Sequence, residues 1–339
     1  PLFPGVFGIF GHGNVACLGQ ALEENKDKLP TYRGHHEQNM ALTGVAYSRA
    51  KRRKQIFIAT SSVGPGSTNL LTAAAVAMSN RIPILFLPGD TYANRMPDPV
   101  LQQVEHFNNP GITANDAFKS VTRYFDRITR PEQILQSLPQ AIQLMIDPAD
   151  AGPACLSLCQ DTQGETFDYP EEFFKERVHN IRRPKPDDFE IKKAAEKIKS
   201  CKNPIIISGG GVFYSDAMEE LGNFAIKHNI PVTQTVMGYS TMKRDHSHFL
   251  GPIGGLGGKA ANNFAKKTDL AIAVGTKLAD FTTGSWANFE NPDFGLVSLN
   301  IARHDANKHL AQAVVGDAKV SLIELSNALG NWKANDDWY

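Results

Sequence analysis

Short apolar, β-branched runs alternate along the chain with longer stretches whose apolar residues recur every three to four positions. In the first half, strand-like runs fall at residues 5–10, 31–34, 55–60, 83–87, 120–125 and 154–158. Helical patterns fill the gaps at 15–24, 37–50, 67–79, 99–106 and 132–146. The last of these follows Thr129-Arg130-Pro131, a capping residue and a proline suited to a first helical turn. A second series has strands at 204–208, 231–235, 270–274, 296–300 and 313–315, with helices at 188–199, 216–228, 259–266 and 318–329. Such alternation predicts an α/β protein with mostly parallel sheets covered by helices on both faces.

The rhythm breaks between the two series. Residues 162–187 are polar and end in Arg182-Arg183-Pro184-Lys185-Pro186, as expected of a stiffened linker. The pattern therefore predicts two doubly wound parallel-sheet domains, residues 1–161 and 188–330, with 331–339 opening a further linker. No internal repeat and no low-complexity tract interrupts them.

Charge narrows the partners. The 339 residues carry 35 basic and 35 acidic side chains, so no basic excess exists to neutralise nucleic-acid phosphates or an anionic membrane surface. No apolar run reaches the roughly 18 residues that a membrane helix needs. The opening Pro1-Leu2-Phe3-Pro4-Gly5 lacks a basic segment and an apolar core, which argues against a secretory signal. Of the four cysteines, Cys17 and Cys201 are isolated, while Cys155 and Cys159 share one face of an expected strand. Without a second Cys/His pair nearby they read as reduced thiols rather than a zinc site, and the expected compartment is the cytoplasm.

Three glycine-rich turns follow expected strands. Gly11-His12-Gly13-Asn14-Val15-Ala16 has the spacing of a dinucleotide fingerprint. The acid that should close the second strand is missing, however, because Glu37 opens a helix instead. A nicotinamide dehydrogenase is therefore a poor match, and a tight strand-to-helix turn explains the loop as well. In Val63-Gly64-Pro65-Gly66-Ser67-Thr68-Asn69, a proline between two glycines sets a sharp turn, with Ser67 and Thr68 placed to cap the next helix. Ser208-Gly209-Gly210-Gly211-Val212 has the composition of a phosphate loop and equally of a close helix–sheet contact.

Glu37 opening a helix after a short strand, followed by Gly64-Pro65-Gly66-Ser67-Thr68-Asn69, resembles the pyrimidine-binding domain of thiamine-diphosphate enzymes, broadly the acetohydroxyacid-synthase branch. Longer stretches are similar to an inositol-catabolism group within it: 7–16, 98–103, 124–133, 168–170, 280–286 and 305–309. The resemblance runs from about residue 5 to 330 and differs at His36, where the pattern has Asn. It implies that Glu37 hydrogen-bonds the aminopyrimidine ring of the cofactor and that Gly11, Pro65, Gly66 and Asn69 line its site. It further implies catalytic parts for His12 and Gln102. The implied reaction is hydrolysis of a cyclic six-carbon dione to 5-deoxyglucuronate by a homo-oligomer, with magnesium as second cofactor. A central Rossmann-like domain, with Ser208–Val212 and residues 254–258 as its glycine loops, is expected to hold no FAD.

In this family magnesium and diphosphate are bound through a Gly-Asp-Gly motif. Gly89-Asp90-Thr91 and Gly316-Asp317-Ala318 do not match it, so the diphosphate-binding domain is expected to lie outside this sequence and the chain alone to be inactive. A carboligase using pyruvate, or a non-catalytic assembly or nucleotide-binding module, remain the alternatives.

Overall fold

The computed structural model describes residues 1–94, 96 and 100–339. Contacts divide the chain into Pro1–Ile181 and Arg182–Tyr339, each built on its own six-stranded sheet. Every strand pair in both sheets is parallel. The expected α/β class with two doubly wound sheets is what forms.

In the first unit the strands are β1 (Val6–Gly8), β2 (Thr31–Arg33), β3 (Ile58–Ser61), β4 (Leu85–Asp90), β5 (Tyr124–Ile128) and β6 (Ala154–Cys159). Their order across the sheet is β2-β1-β3-β4-β6-β5. The helices are α1 (Cys17–Glu24), α2 (Glu37–Ala50), α3 (Pro65–Thr68), α4 (Leu71–Asn80) and α5 (Ile134–Ile146). Because strand side chains alternate in direction, β4 sends Phe86 to one face and Leu85 to the other. Phe86 joins Met40, Ala41 and Val45 of α2 and Ala73, Ala74 and Ala77 of α4. Leu85 joins Leu22 of α1 and Ala141 and Met145 of α5. Burying both faces in this way accounts for the continuous apolar runs of these strands.

Two expectations in this unit are corrected. The strand expected at 120–125 begins only at Tyr124, because a 3-10 turn spans Ala114–Ser120. Thr113 and Asp116 close a capping box there, the Asp116 carboxylate accepting from the Thr113 amide at 2.7 Å. The helix expected at 99–106 does not form at 100–106: Gln102 takes φ +67°, a left-handed conformation that a helix cannot continue through. Pro99 itself lies outside the described residues.

The second unit contains β7 (Pro204–Ser208), β8 (Val232–Gln234), β9 (Phe249–Pro252), β10 (Leu270–Val274), β11 (Gly295–Asn300) and β12 (Gln312–Val315), in the order β12-β11-β10-β7-β8-β9. Its helices are α6 (Asp188–Ser200), α7 (Gly210–Tyr214), α8 (Met218–His228), α9 (Lys259–Lys267), α10 (Asp280–Thr283), α11 (Arg303–Ala306) and α12 (Ala318–Leu329). β9 carries Gly251 at φ +92° and ends on Pro252, which conceals it in the sequence; a sheet edge is where a strand tolerates both. Residues 331–339 are laid onto this unit instead of leaving it as a linker. The Ala334 amide donates to the His228 carbonyl at 2.9 Å, and the Trp338 indole donates to the Pro204 carbonyl at 2.8 Å.

Candidate active site

In a doubly wound sheet, ligands gather at the carboxyl ends of the strands where the winding direction reverses. In the first unit that reversal lies between β1 and β3, because β2 is added on one side of β1 and β3 on the other. The loops leaving β1 and β3 carry Gly11, His12, Gly64, Pro65 and Gly66.

Asn14, almost fully buried, shapes the first loop. Its Oδ1 accepts from the Gly11 amide at 3.0 Å, and its Nδ2 donates to the Ile9 carbonyl at 3.2 Å and to Thr60 Oγ1 at 3.1 Å. Beyond it, Gly13 meets β4 backbone to backbone. A Cβ built on Gly89 would stand 2.5 Å from the Gly13 carbonyl oxygen, and one on Gly13 would stand 2.6 Å from the Val63 nitrogen. Three strand ends therefore touch where no side chain fits.

The second loop turns at Gly64, whose φ is +67°. A Cβ at this position would come within 1.9 Å of the Gln102 carbonyl oxygen. The Ser62 hydroxyl donates to Gln102 Oε1 at 3.0 Å, so Gln102 reaches the site from an exposed turn and not from a helix face. Gly11 packs on Ser62 as well, since its Cβ would stand 2.7 Å from Ser62 Oγ.

Glu37, half-buried, is the first residue of α2, where the helix dipole favours a negative charge. Asn69 closes α3 and donates from Nδ2 to Glu37 Oε2 at 3.0 Å. Among the described residues no donor reaches Glu37 Oε1. Gly66 leaves the space beside it open: a Cβ there would meet Ser62 Cβ at 3.3 Å and Glu37 Oε1 at 3.6 Å. Ser67 and Thr68 do not cap the next helix as expected. Their hydroxyls donate back to the Gly64 and Pro65 carbonyls, both at 3.0 Å, and harden the turn.

Glu37, Gly66 and Asn69 thus form one group, with Pro65 exposed in the same turn, and Gly11, Ser62, Gly64 and Gln102 form another joined to it through Ser62. His12 sits exposed in the first loop. Sequence reasoning missed Ser62, Asn14 and a buried charge group below them. In that group Asp90 accepts from Arg127 Nε at 2.8 Å and from Ser157 Oγ at 2.5 Å, while Arg127 also reaches Asp116 at 2.9 Å. Burial by itself would raise the Asp116 carboxyl. Hydrogen bonds from Lys119, the Thr113 amide and Arg127 outweigh it and bring the pKa down to about 2. An aspartate ending an apolar strand run, as in Leu87-Pro88-Gly89-Asp90, was the available signal.

Both Gly-Asp pairs are engaged structurally. Asp90 holds Arg127, and Asp317 caps α12, accepting from the Lys319 and Val320 amides at 3.0 and 3.3 Å and from Arg183 at 3.0 Å. Among the described residues no group of three or more His, Cys, Asp or Glu is arranged for a metal, and no helix is long and apolar enough to cross a membrane. All four cysteines are free thiols. Burial pushes the Cys159 and Cys201 thiols up to about 12 and Cys155 higher than its usual range as well.

The glycine loops of the second unit are tied to neighbouring segments. The Gly209 and Gly211 amides donate to the Val274 and Gly275 carbonyls, both at 2.8 Å, and the Gly255 amide donates to Phe281 at 2.9 Å. Lys308 is paired with Asp305 at 2.7 Å.

Comparison with known proteins decides the family. Residues 4–109 match the thiamine pyrophosphate enzyme N-terminal TPP binding domain, and residues 191–325 match the thiamine pyrophosphate enzyme central domain. The chain belongs to the thiamine pyrophosphate enzymes. It is 49% identical over 334 residues to the 3D-(3,5/4)-trihydroxycyclohexane-1,2-dione hydrolase of Clostridium tetani, covering 98% of this chain and 52% of that protein. Against the enzyme of the same name from Listeria monocytogenes it is 47% identical over 333 residues, again 98% of this chain and 52% of the relative. The chain spans about half the length of the curated relatives it matches. The crystal structure of benzoylformate decarboxylase from Polynucleobacter necessarius superposes with a TM-score of 0.76 over 98% of this chain and 59% of that one; at 19% identity it speaks to the fold alone.

Proposed function

We propose that the protein to which these residues belong is a thiamine-diphosphate hydrolase that opens a cyclic trihydroxy-1,2-dione in inositol catabolism, and that the first unit presents Glu37 to the aminopyrimidine ring. The observation that carries this is the carboxylate of Glu37: Oε2 is held by Asn69, Oε1 has no donor among the described residues, and Gly66 keeps the adjoining space clear. These residues fit the ring. A carboxyl fixed at a helix start, beside a glycine wall, is what one ring nitrogen requires for a hydrogen bond.

Thiamine diphosphate supplies carbanion chemistry at its thiazolium carbon. The chain's own part is to hold a proton at Glu37 Oε1, to orient that atom through Asn69, and to place the loop of Gly11 and His12 and the side chain of Gln102 around the reacting centre. We assign magnesium and the diphosphate to the half of the relatives' length that this chain does not span; this is supported by the two Gly-Asp pairs, which lack the motif's second glycine and whose aspartates are engaged by Arg127 and Arg183. We also propose self-association, supported by Leu101, Val104 and Phe107, which stand exposed in one short stretch. The free thiols fit a reducing, cytoplasmic compartment.

The test is Glu37→Gln in the full-length enzyme. Loss of acid–base assistance should lower turnover by about 10²–10⁴-fold, and hydrogen–deuterium exchange at the thiazolium carbon should slow with it. Exchange at the wild-type rate would show that Glu37 is only a helix-start carboxylate.

A further inference from the structure

We propose that Thr91 and Gln103 are positioning residues of this site, acting through Gln102; the inference rests on the functional reading above. Gln102 holds φ +67°, a conformation that a residue with a side chain adopts only where its surroundings impose it. On one side the imposition is plain, since the Ser62 hydroxyl takes Gln102 Oε1 and the Gln102 carbonyl stands against Gly64. The other side is Gln103. Its amide donates to the Val100 carbonyl at 3.0 Å, closing the turn, and its Oε1 accepts from the Thr91 hydroxyl at 3.1 Å.

Thr91 is a fixed point. Its amide donates at 2.9 Å to Asp90 Oδ1, and the other oxygen of that carboxylate is held by Arg127 and Ser157. Two residues on, the amides of Ala93 and Asn94 donate to the two oxygens of Asp161 at 2.8 and 2.7 Å. The Thr91 hydroxyl is therefore presented from a segment clasped by two aspartates at the carboxyl ends of β4 and β6. The buried charge group below the site reaches Gln102 by this path. Asp90 is continuous with Gly89, which Gly13 touches, so the same aspartate also underlies the loop of Gly11 and His12.

The experiment compares Thr91→Val, Thr91→Ser and Gln102→Ala, alone and combined, in the full-length protein. Valine keeps the shape and removes the donor, whereas serine keeps the donor. Thr91→Val should speed amide exchange at residues 100–104 and lower turnover of the cyclic dione, each by about tenfold, the loss of one ordinary hydrogen bond. Thr91→Ser should restore both. In the Gln102→Ala background Thr91→Val should lower turnover no further, because Thr91 acts on turnover through Gln103 and the placing of the Gln102 side chain, which is then already gone. Unchanged exchange at 100–104, or losses that multiply in the double variant, overturns the inference. The exchange arm needs no substrate, so a Glu37→Gln enzyme with wild-type turnover overturns the functional reading while exchange alone decides whether Thr91 holds the turn.

Discussion

Asn69 donates to Glu37 across 3.0 Å and ties the turn after β3 to the start of α2. Both residues stand near the surface, so the bond itself contributes little to stability. Its value is in direction, because it leaves Oε1 as the oxygen that faces the open space beside Gly66. Asn69→Ala in the full-length enzyme is expected to change stability by less than about 0.5 kcal/mol, as a surface substitution does. Turnover should fall by about tenfold, the worth of one orienting hydrogen bond. Steady-state kinetics beside chemical denaturation would check both; unaltered turnover would remove Asn69 from the site.

Gly89→Ala tests the joint beneath the loops. The added methyl would stand 2.5–2.6 Å from the carbonyl oxygen, carbonyl carbon and Cα of Gly13, none of them the end of a flexible side chain. Overpacking of this kind costs about 1–3 kcal/mol. The denaturation midpoint of the 339-residue chain should drop accordingly, and a midpoint within error of wild type would mean that the joint is looser than described.

Arg127→Met leaves Asp90, only 1% exposed, without its cationic partner. Stranding a buried charge costs about 3–5 kcal/mol. Asp90→Asn in the same background should recover part of the loss, because the uncompensated charge is gone. If the double variant is no more stable than Arg127→Met, the pairing of Asp90 and Arg127 is not what holds this region.

His228 gives the second unit a pH dependence. Its Nδ1 lies 2.8 Å from the Trp332 carbonyl and its Nε2 3.0 Å from Ser326 Oγ. A carbonyl can only accept, so Nδ1 carries the proton and Nε2 accepts from the serine. Burial lowers the imidazole pKa below 6.5, the Trp332 carbonyl opposes that, and Lys227 and Lys333 add to it. Below pH 6.5 the unfolded chain therefore takes up a proton that the folded chain does not. Stability is fully present above 6.5 and is lost as pH falls toward the folded value. His228→Asn should flatten the stability profile below pH 6.5, as read by urea titrations; an unchanged slope would assign it to other groups.

Strand and helix order was legible because both faces of each sheet are buried, which makes strands such as Ile205-Ile206-Ile207 stand out as apolar runs. Glu37 and the Gly64–Asn69 turn were legible as a pattern, and α2 begins and ends where that pattern put it. The turn at Gln102 was not. A polar residue in left-handed backbone has no periodic signal, and what holds it comes from Ser62 and Gly64, far off in sequence. Thr91 and Gln103 were hidden for the same reason, and β9 because its Gly and Pro read as a loop until the sheet supplies an edge for them.

The contact of Gly13 with Gly89 bears on how such a protein changes over generations. Neither position can accept a side chain unless a neighbouring strand end retreats, Gly13 being set against Val63 as well as against Gly89. A side chain at either glycine therefore calls for a simultaneous change at the facing strand end, and the three strand ends behave as one piece. The exposed loop residues around them, His12 among them, are under no such packing constraint, and exchanging them leaves the joint undisturbed.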